Sequence, residues 1–116
     1  FSSGRHGSDS DYDAFWKALH AAGAEVVLAG HDHDYERFAP QSPNGKADPI
    51  RGIREFVVGT GGRSHYAFRS IQANSEVRNS DTYGVLKLIL HPKSYSWEFI
   101  PEAGKTFTDS GSQQCH

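Results

Sequence analysis

Seven histidines occur in a chain of 116 residues, and two of them stand one residue apart. They lie in Gly30-His31-Asp32-His33, which runs on as Asp34-Tyr35-Glu36-Arg37. Imidazole is the commonest metal ligand among side chains and suits zinc, iron, copper and nickel. Residues i and i+2 of an extended backbone project to the same side. The spacing therefore predicts His31 and His33 facing one site with Asp32 turned away. Two metal ions about 4 Å apart would each take one ring, and Gly30 would let the backbone pass close to them. Two ligands are fewer than the three or four that a metal site needs. A solvated loop rich in Asp and His is the other reading of the same residues.

Such a loop needs elements to hold it. Val26-Val27-Leu28-Ala29 is a short continuous apolar run ended by Gly30, the pattern of a strand buried on both faces. Ligands in open α/β sheets bind beyond the carboxyl ends of strands, where this histidine pair falls. Before it, Phe15, Ala18, Leu19 and Ala22 recur at helical spacing. Ser10 as N-cap, acidic residues in the first turn and Gly23 as C-cap predict a helix over about 11–22. A second apolar strand is expected at Glu55–Val58, closed by Gly59-Thr60-Gly61-Gly62. Residues 38–53 carry three prolines and an Asn-Gly pair and read as loop. Residues 63–81 are polar and read as a surface excursion. Residues 83–90 and 95–100 flank His91-Pro92-Lys93-Ser94 as an antiparallel hairpin, with Leu86, Leu88 and Leu90 on one face. Trp97 and Phe99 pack across that pair. The tail from Pro101 is polar, with Phe107 as its anchor, and His116 is expected to be disordered.

Composition bounds the possibilities. The length suits one domain, and Leu, Ile, Val and Phe make up roughly a fifth of the chain, which predicts a thin core. A net charge of −2 gives no electrostatic footprint for nucleic acid. No run of about 18 apolar residues suggests a membrane span, and a single cysteine, Cys115, makes no internal disulfide. The chain has no Met and begins at Phe1, so it reads as a processed or truncated piece. The Gly59–Gly62 turn offers backbone N–H groups to an anion. No helix pattern follows it, so it does not read as a nucleotide-binding loop. His65 and Tyr66 stand at the rim of the expected site, whereas His20 and His91 read as surface residues.

The block from Gly30 to Arg37 resembles the last metal-binding block of the calcineurin-like metallophosphoesterases. It is most similar to the purple acid phosphatase branch, where Gly-His-x-His runs on into x-Tyr-Glu-Arg. Phe1-Ser2-Ser3-Gly4-Arg5-His6-Gly7 is similar to the segment that follows that family's His-x-Pro metal block. Phe56–Gly62, Tyr83–Leu86 and Tyr95–Ile100 fit as well.

The resemblance implies an α/β fold, part of a two-sheet α/β/β/α sandwich. Residues 1–116 would form the C-terminal segment of one catalytic domain whose N-terminal half is absent. It implies His31 and His33 as ligands of two different metals in a dinuclear centre of iron, zinc or manganese. It also implies His6 as a catalytic residue near the substrate phosphate that helps the leaving group; His65, from its place on the rim alone, is a candidate substrate contact or else a surface residue. Tyr35, Glu36 and Arg37 would be structural, a Glu–Arg pair shaping the loop with Tyr35 beneath. The family's Asp blocks, Asn-His block and upstream metal histidine have no counterpart in this chain, so alone it would be inactive.

The expected activity is metal-dependent hydrolysis of phosphate monoesters, in a protein the resemblance assigns to export. The alternatives are a phosphodiesterase or nucleotide hydrolase on the same scaffold, or a non-catalytic β-rich binding module with an incomplete metal site. The expected partners are a small phosphoester and the missing half of the domain, without nucleic acid or membrane.

Overall fold

The computed structural model describes all residues, Phe1–His116. Its strands, in chain order, are β1 (Val26–Ala29), β2 (Tyr35–Phe38), β3 (Arg54–Val58), β4 (Ser75–Asn79), β5 (Gly84–His91), β6 (Ser94–Pro101) and β7 (Ser110–Gln114). One helix, α1 (Asp13–Ala21), precedes them. The strands form a four-stranded sheet of order β1-β3-β2-β4 and a three-stranded sheet of order β5-β6-β7. In the first, β1 runs parallel to β3, while β2 is antiparallel to both β3 and β4. The second is wholly antiparallel. This is an α/β domain with two sheets, as expected, and no helix in it is long and apolar enough to cross a membrane.

The helix begins differently from its sequence pattern. The cap is Asp9, whose side chain accepts the Asp11 N–H at 2.9 Å, and Ser10–Tyr12 form a 3-10 turn before α1. Asp9 and Ser10 are both good caps, and one residue of difference shifts the start of the helix. Gly23 ends it with φ +73°. The periodic apolar face is not buried. Trp16 alone goes under, edge-on to the Phe1 ring at 4.9 Å, while Phe15 and Leu19 lie open. The expectation for β1 fails in the same way, since it is an edge strand with Leu28 58% exposed.

Between the sheets sits a core of Tyr35, Phe56, Tyr95, Trp97 and Phe99. Aromatic rings supply the bulk that a sequence poor in Leu and Ile lacks, each removing a large apolar area from water. The hairpin forms, with Leu86 and Leu88 against this core and Leu90 exposed next to the turn, where His91 and Ser94 extend the paired strands. Phe107 packs on Tyr35 and Phe99 as expected of an anchor.

Two polar segments read as excursion and tail pair as β4 and β7. His116, expected to be disordered, donates its N–H to Glu25 at 2.8 Å. The sheets are also joined by a buried ionic knot. Asp109 accepts from Tyr35 Oη at 2.7 Å, from Arg37 Nε at 2.7 Å and from Trp97 Nε1 at 3.2 Å. Arg37 and Arg54 stack on Trp97 with their guanidinium carbons 5.1 and 5.0 Å from its ring, and both also bond Glu76.

Candidate functional site

At the C-terminal end of β1 the chain turns through Gly30–Asp34 before entering β2. The turn is not extended. His31 has φ +73°, the left-handed region that β-carbons disfavour, and the Asp32 N–H closes back on Gly30 O at 2.9 Å. The alternation expected for an extended His-x-His therefore does not apply. Asp32, expected on the side away from the rings, is buried at 2% exposure against the Ser2–His6 segment.

The two rings take separate neighbours. His31 lies against His6, ring centroids 4.1 Å apart. His33 stacks on Tyr66 at 4.3 Å and 19°, and its Nδ1 lies 2.8 Å from Ser64 O. A backbone carbonyl only accepts, so His33 Nδ1 carries the proton in this bond, and in the neutral ring the lone pair then belongs to Nε2. Metal-ligating histidines are characteristically held by just such a bond to a carbonyl. Tyr66 also approaches the His6 ring at 5.9 Å and lies under the Arg5 guanidinium at 4.9 Å. His65 points elsewhere, its ring 4.2 Å from Tyr83. His6, His31, His33, Tyr66 and Arg5 thus form one rim. It opens at His6 and His31 into a groove of about 880 Å³ that runs along β1 and α1 past Phe15 and Leu28.

Behind the rim lies a layer of buried carboxylates. Asp32 accepts from the His6 N–H at 2.8 Å and from Ser2 Oγ. Glu36 accepts from the Ser3 N–H at 2.8 Å and from the hydroxyls of Ser3 and Ser75. The expected Glu36–Arg37 pair does not form, because successive strand residues face opposite sides and Arg37 goes to Asp109 and Glu76. Asp34 is fully buried, and neither carboxylate oxygen has a hydrogen-bond partner. Burial first, then the negative charges of Asp32 and Glu36, push its carboxyl up to about 7.

The Gly59–Gly62 turn touches this layer with its backbone. A β-carbon at Gly59 would sit 1.8 Å from Asp32 O. Glycine there serves close approach, not flexibility.

As a donor set the site is partial. His31 and the Nε2 of His33 fit transition-metal ligation, but no three His, Cys, Asp or Glu side chains gather to hold one ion. Asp32 and Glu36 are spent on the Ser2–His6 segment, and Asp34 lies buried behind the rim without a hydrogen-bond partner. Asp32, Ser64 and Tyr66, which set the geometry of the rim, were not assigned these contacts from sequence. The run Ser2-Ser3-Gly4 was the available signal, since small residues permit close backbone approach.

No family model matches the chain, and no solved structure matches it. The chain is similar to Purple acid phosphatase 21 of Arabidopsis thaliana, 41% identical over 85 residues, which is 68% of this chain and 19% of that protein. It therefore spans about a fifth of the length of that curated relative, and the similarity relates this part of it to a phosphatase sequence.

Proposed function

We propose that this chain supplies the histidine block of a dinuclear metal centre that hydrolyses phosphate monoesters, within a domain of metallophosphoesterase type completed by a further segment. The observation that carries the reading is His33. Its Nδ1–H is committed to Ser64 O and its face to Tyr66, the ring that also borders His6, so Nε2 is the His33 nitrogen left for a ligand. The 41% identity to a purple acid phosphatase supports the same chemistry. The completing segment would add the carboxylates that a two-metal site requires. The free edge of β1, with Leu28 and Phe15 exposed beside it, suits its docking.

In this reading His31 and His33 hold metal, one ion each. When bound, the ions supply a hydroxide near neutral pH and offset charge on the phosphoryl oxygens. His6, protonated, donates to the departing ester oxygen. Tyr66 stacks on His33 at the rim, and Arg5 over Tyr66 adds a fixed positive charge there. His65, set back against Tyr83 with its Nε2 buried, takes no part in this reading.

The test is made in the complete protein with His31→Ala, His33→Ala and His6→Ala. Either of the first two should lose most bound metal and nearly all hydrolysis of an aryl phosphate. His6→Ala should keep its metal and lose turnover, most of all on esters with poor leaving groups. Undiminished hydrolysis by both metal-side variants would refute the assignment. One ion or none in the wild-type protein, without hydrolysis, would favour a binding module.

A further inference from the structure

We infer that Asp32, the residue between the two histidines, is a positioning residue. It holds the Ser2–His6 segment so that His6 stands against His31, fixing the proton donor relative to the metal side. The inference deepens the proposed phosphoesterase reading and rests on it for its catalytic consequence. Its geometry stands alone.

Residues 1–7 belong to no helix or strand, so side chains must fix their path. Both oxygens of Asp32 are used for this, Oδ1 accepting from the His6 N–H at 2.8 Å and Oδ2 from the Ser2 hydroxyl. Ser2 Oγ in turn accepts the Gly4 N–H at 2.9 Å. One buried side chain thereby orders both ends of a short loop.

Two further features fit this role. A β-carbon on Gly4 would lie 2.4 Å from Asp32 Cγ, so the loop lies flush on the carboxylate. The left-handed turn at His31 is what directs Asp32 inward.

The middle of the segment is held independently of Asp32. Ser3 donates its N–H to Glu36 at 2.8 Å, and Ser3 O and Oγ accept from Arg69 N at 3.0 Å and Gln72 N at 2.9 Å. Loss of Asp32 should therefore release His6 while Ser3 stays in place. His33, anchored by Ser64 and Tyr66, should not move.

The experiment compares Asp32→Ala, Asp32→Asn and Gly4→Ala. In the isotope-labelled chain, Asp32→Ala should lose the NMR cross-peaks between the His6 and His31 rings and keep those between His33 and Tyr66. Asp32→Asn, whose carbonyl still accepts the His6 N–H, should keep both sets. Gly4→Ala leaves the carboxylate intact but wedges the loop off it, and should reproduce the alanine result. It decides the matter alone should Asp32→Ala fail to fold.

In the complete protein, Asp32→Ala should lower kcat about a hundredfold, the cost of roughly 1 Å of misplacement. KM and metal content should hold within about twofold, and Asn should restore most of the rate. Retention of the His6–His31 cross-peaks in both Asp32→Ala and Gly4→Ala would overturn the inference. So would joint loss of both sets, or loss of metal with Asp32→Ala. A wild-type protein that hydrolyses nothing would sink the phosphoesterase reading, and the cross-peaks would still decide the role of Asp32.

Discussion

Asp109→Ala should be among the most damaging single changes away from the rim. Asp109 is 9% exposed, and its carboxylate accepts four hydrogen bonds from Tyr35, Arg37 and Trp97, residues of both sheets. Removing it leaves the fully buried Tyr35 hydroxyl and the Trp97 N–H without acceptors. It also takes from Arg37 its more buried partner. Breaking a buried pair from one side costs about 3–5 kcal/mol. Arg37 keeps Glu76, whose side chain is 40% exposed, which places the loss near the lower end, about 3 kcal/mol. Tyr35→Phe deletes one bond and leaves Asp109 with Arg37 and Trp97, so it should cost about 1 kcal/mol. Urea unfolding followed by circular dichroism at neutral pH measures both by linear extrapolation. A small domain has about 5–15 kcal/mol in total, so the alanine variant should unfold at visibly lower urea. An Asp109→Ala chain within about 1 kcal/mol of wild type, or Tyr35→Phe as costly as Asp109→Ala, would refute the view that this knot joins the sheets.

Glu55 should make the chain less stable as pH rises. Burial pushes its carboxyl from 4.5 up to about 7 against the opposing Phe1 ammonium, with Glu36 adding to the rise. Between those values the unfolded chain releases a proton that the folded chain retains. Stability is then highest below pH 4.5 and falls until about 7, by at most about 3 kcal/mol. Glu55→Gln should flatten that slope in urea titrations at stepped pH, leaving the part due to Asp34; an unchanged slope would exclude Glu55 as its source. Gly59→Ala, whose new carbon would sit 1.8 Å from Asp32 O and 3.1 Å from His33 Cα, should destabilise by about 1–3 kcal/mol or more. It should also shift the His33 ring resonances, and a neutral effect on both would contradict the close approach.

The hairpin was legible because it is written in side-chain type and period. Strands β4 and β7 were not, because Ser75–Asn79 and Ser110–Gln114 are made strands by backbone pairing with β2 and β6 rather than by an apolar face. The run Val26–Ala29 was correctly a strand, but its apolarity implied cover on both faces that an edge position does not give. The inward turn of Asp32 depends on a positive φ at His31. Nothing in a histidine side chain announces that, as a glycine would. The contact between His6 and His31 joins residues 25 positions apart and follows from that same turn.

The open border of β1 has a practical consequence for anyone handling this polypeptide by itself. An unsatisfied row of amides and carbonyls flanked by Leu28 and Phe15 is a template for a neighbouring molecule. Recombinant yield, light scattering and shelf life will then track concentration and whatever is fused upstream, so a solubilising leader belongs at the amino end, beside the groove that Phe1 helps to line.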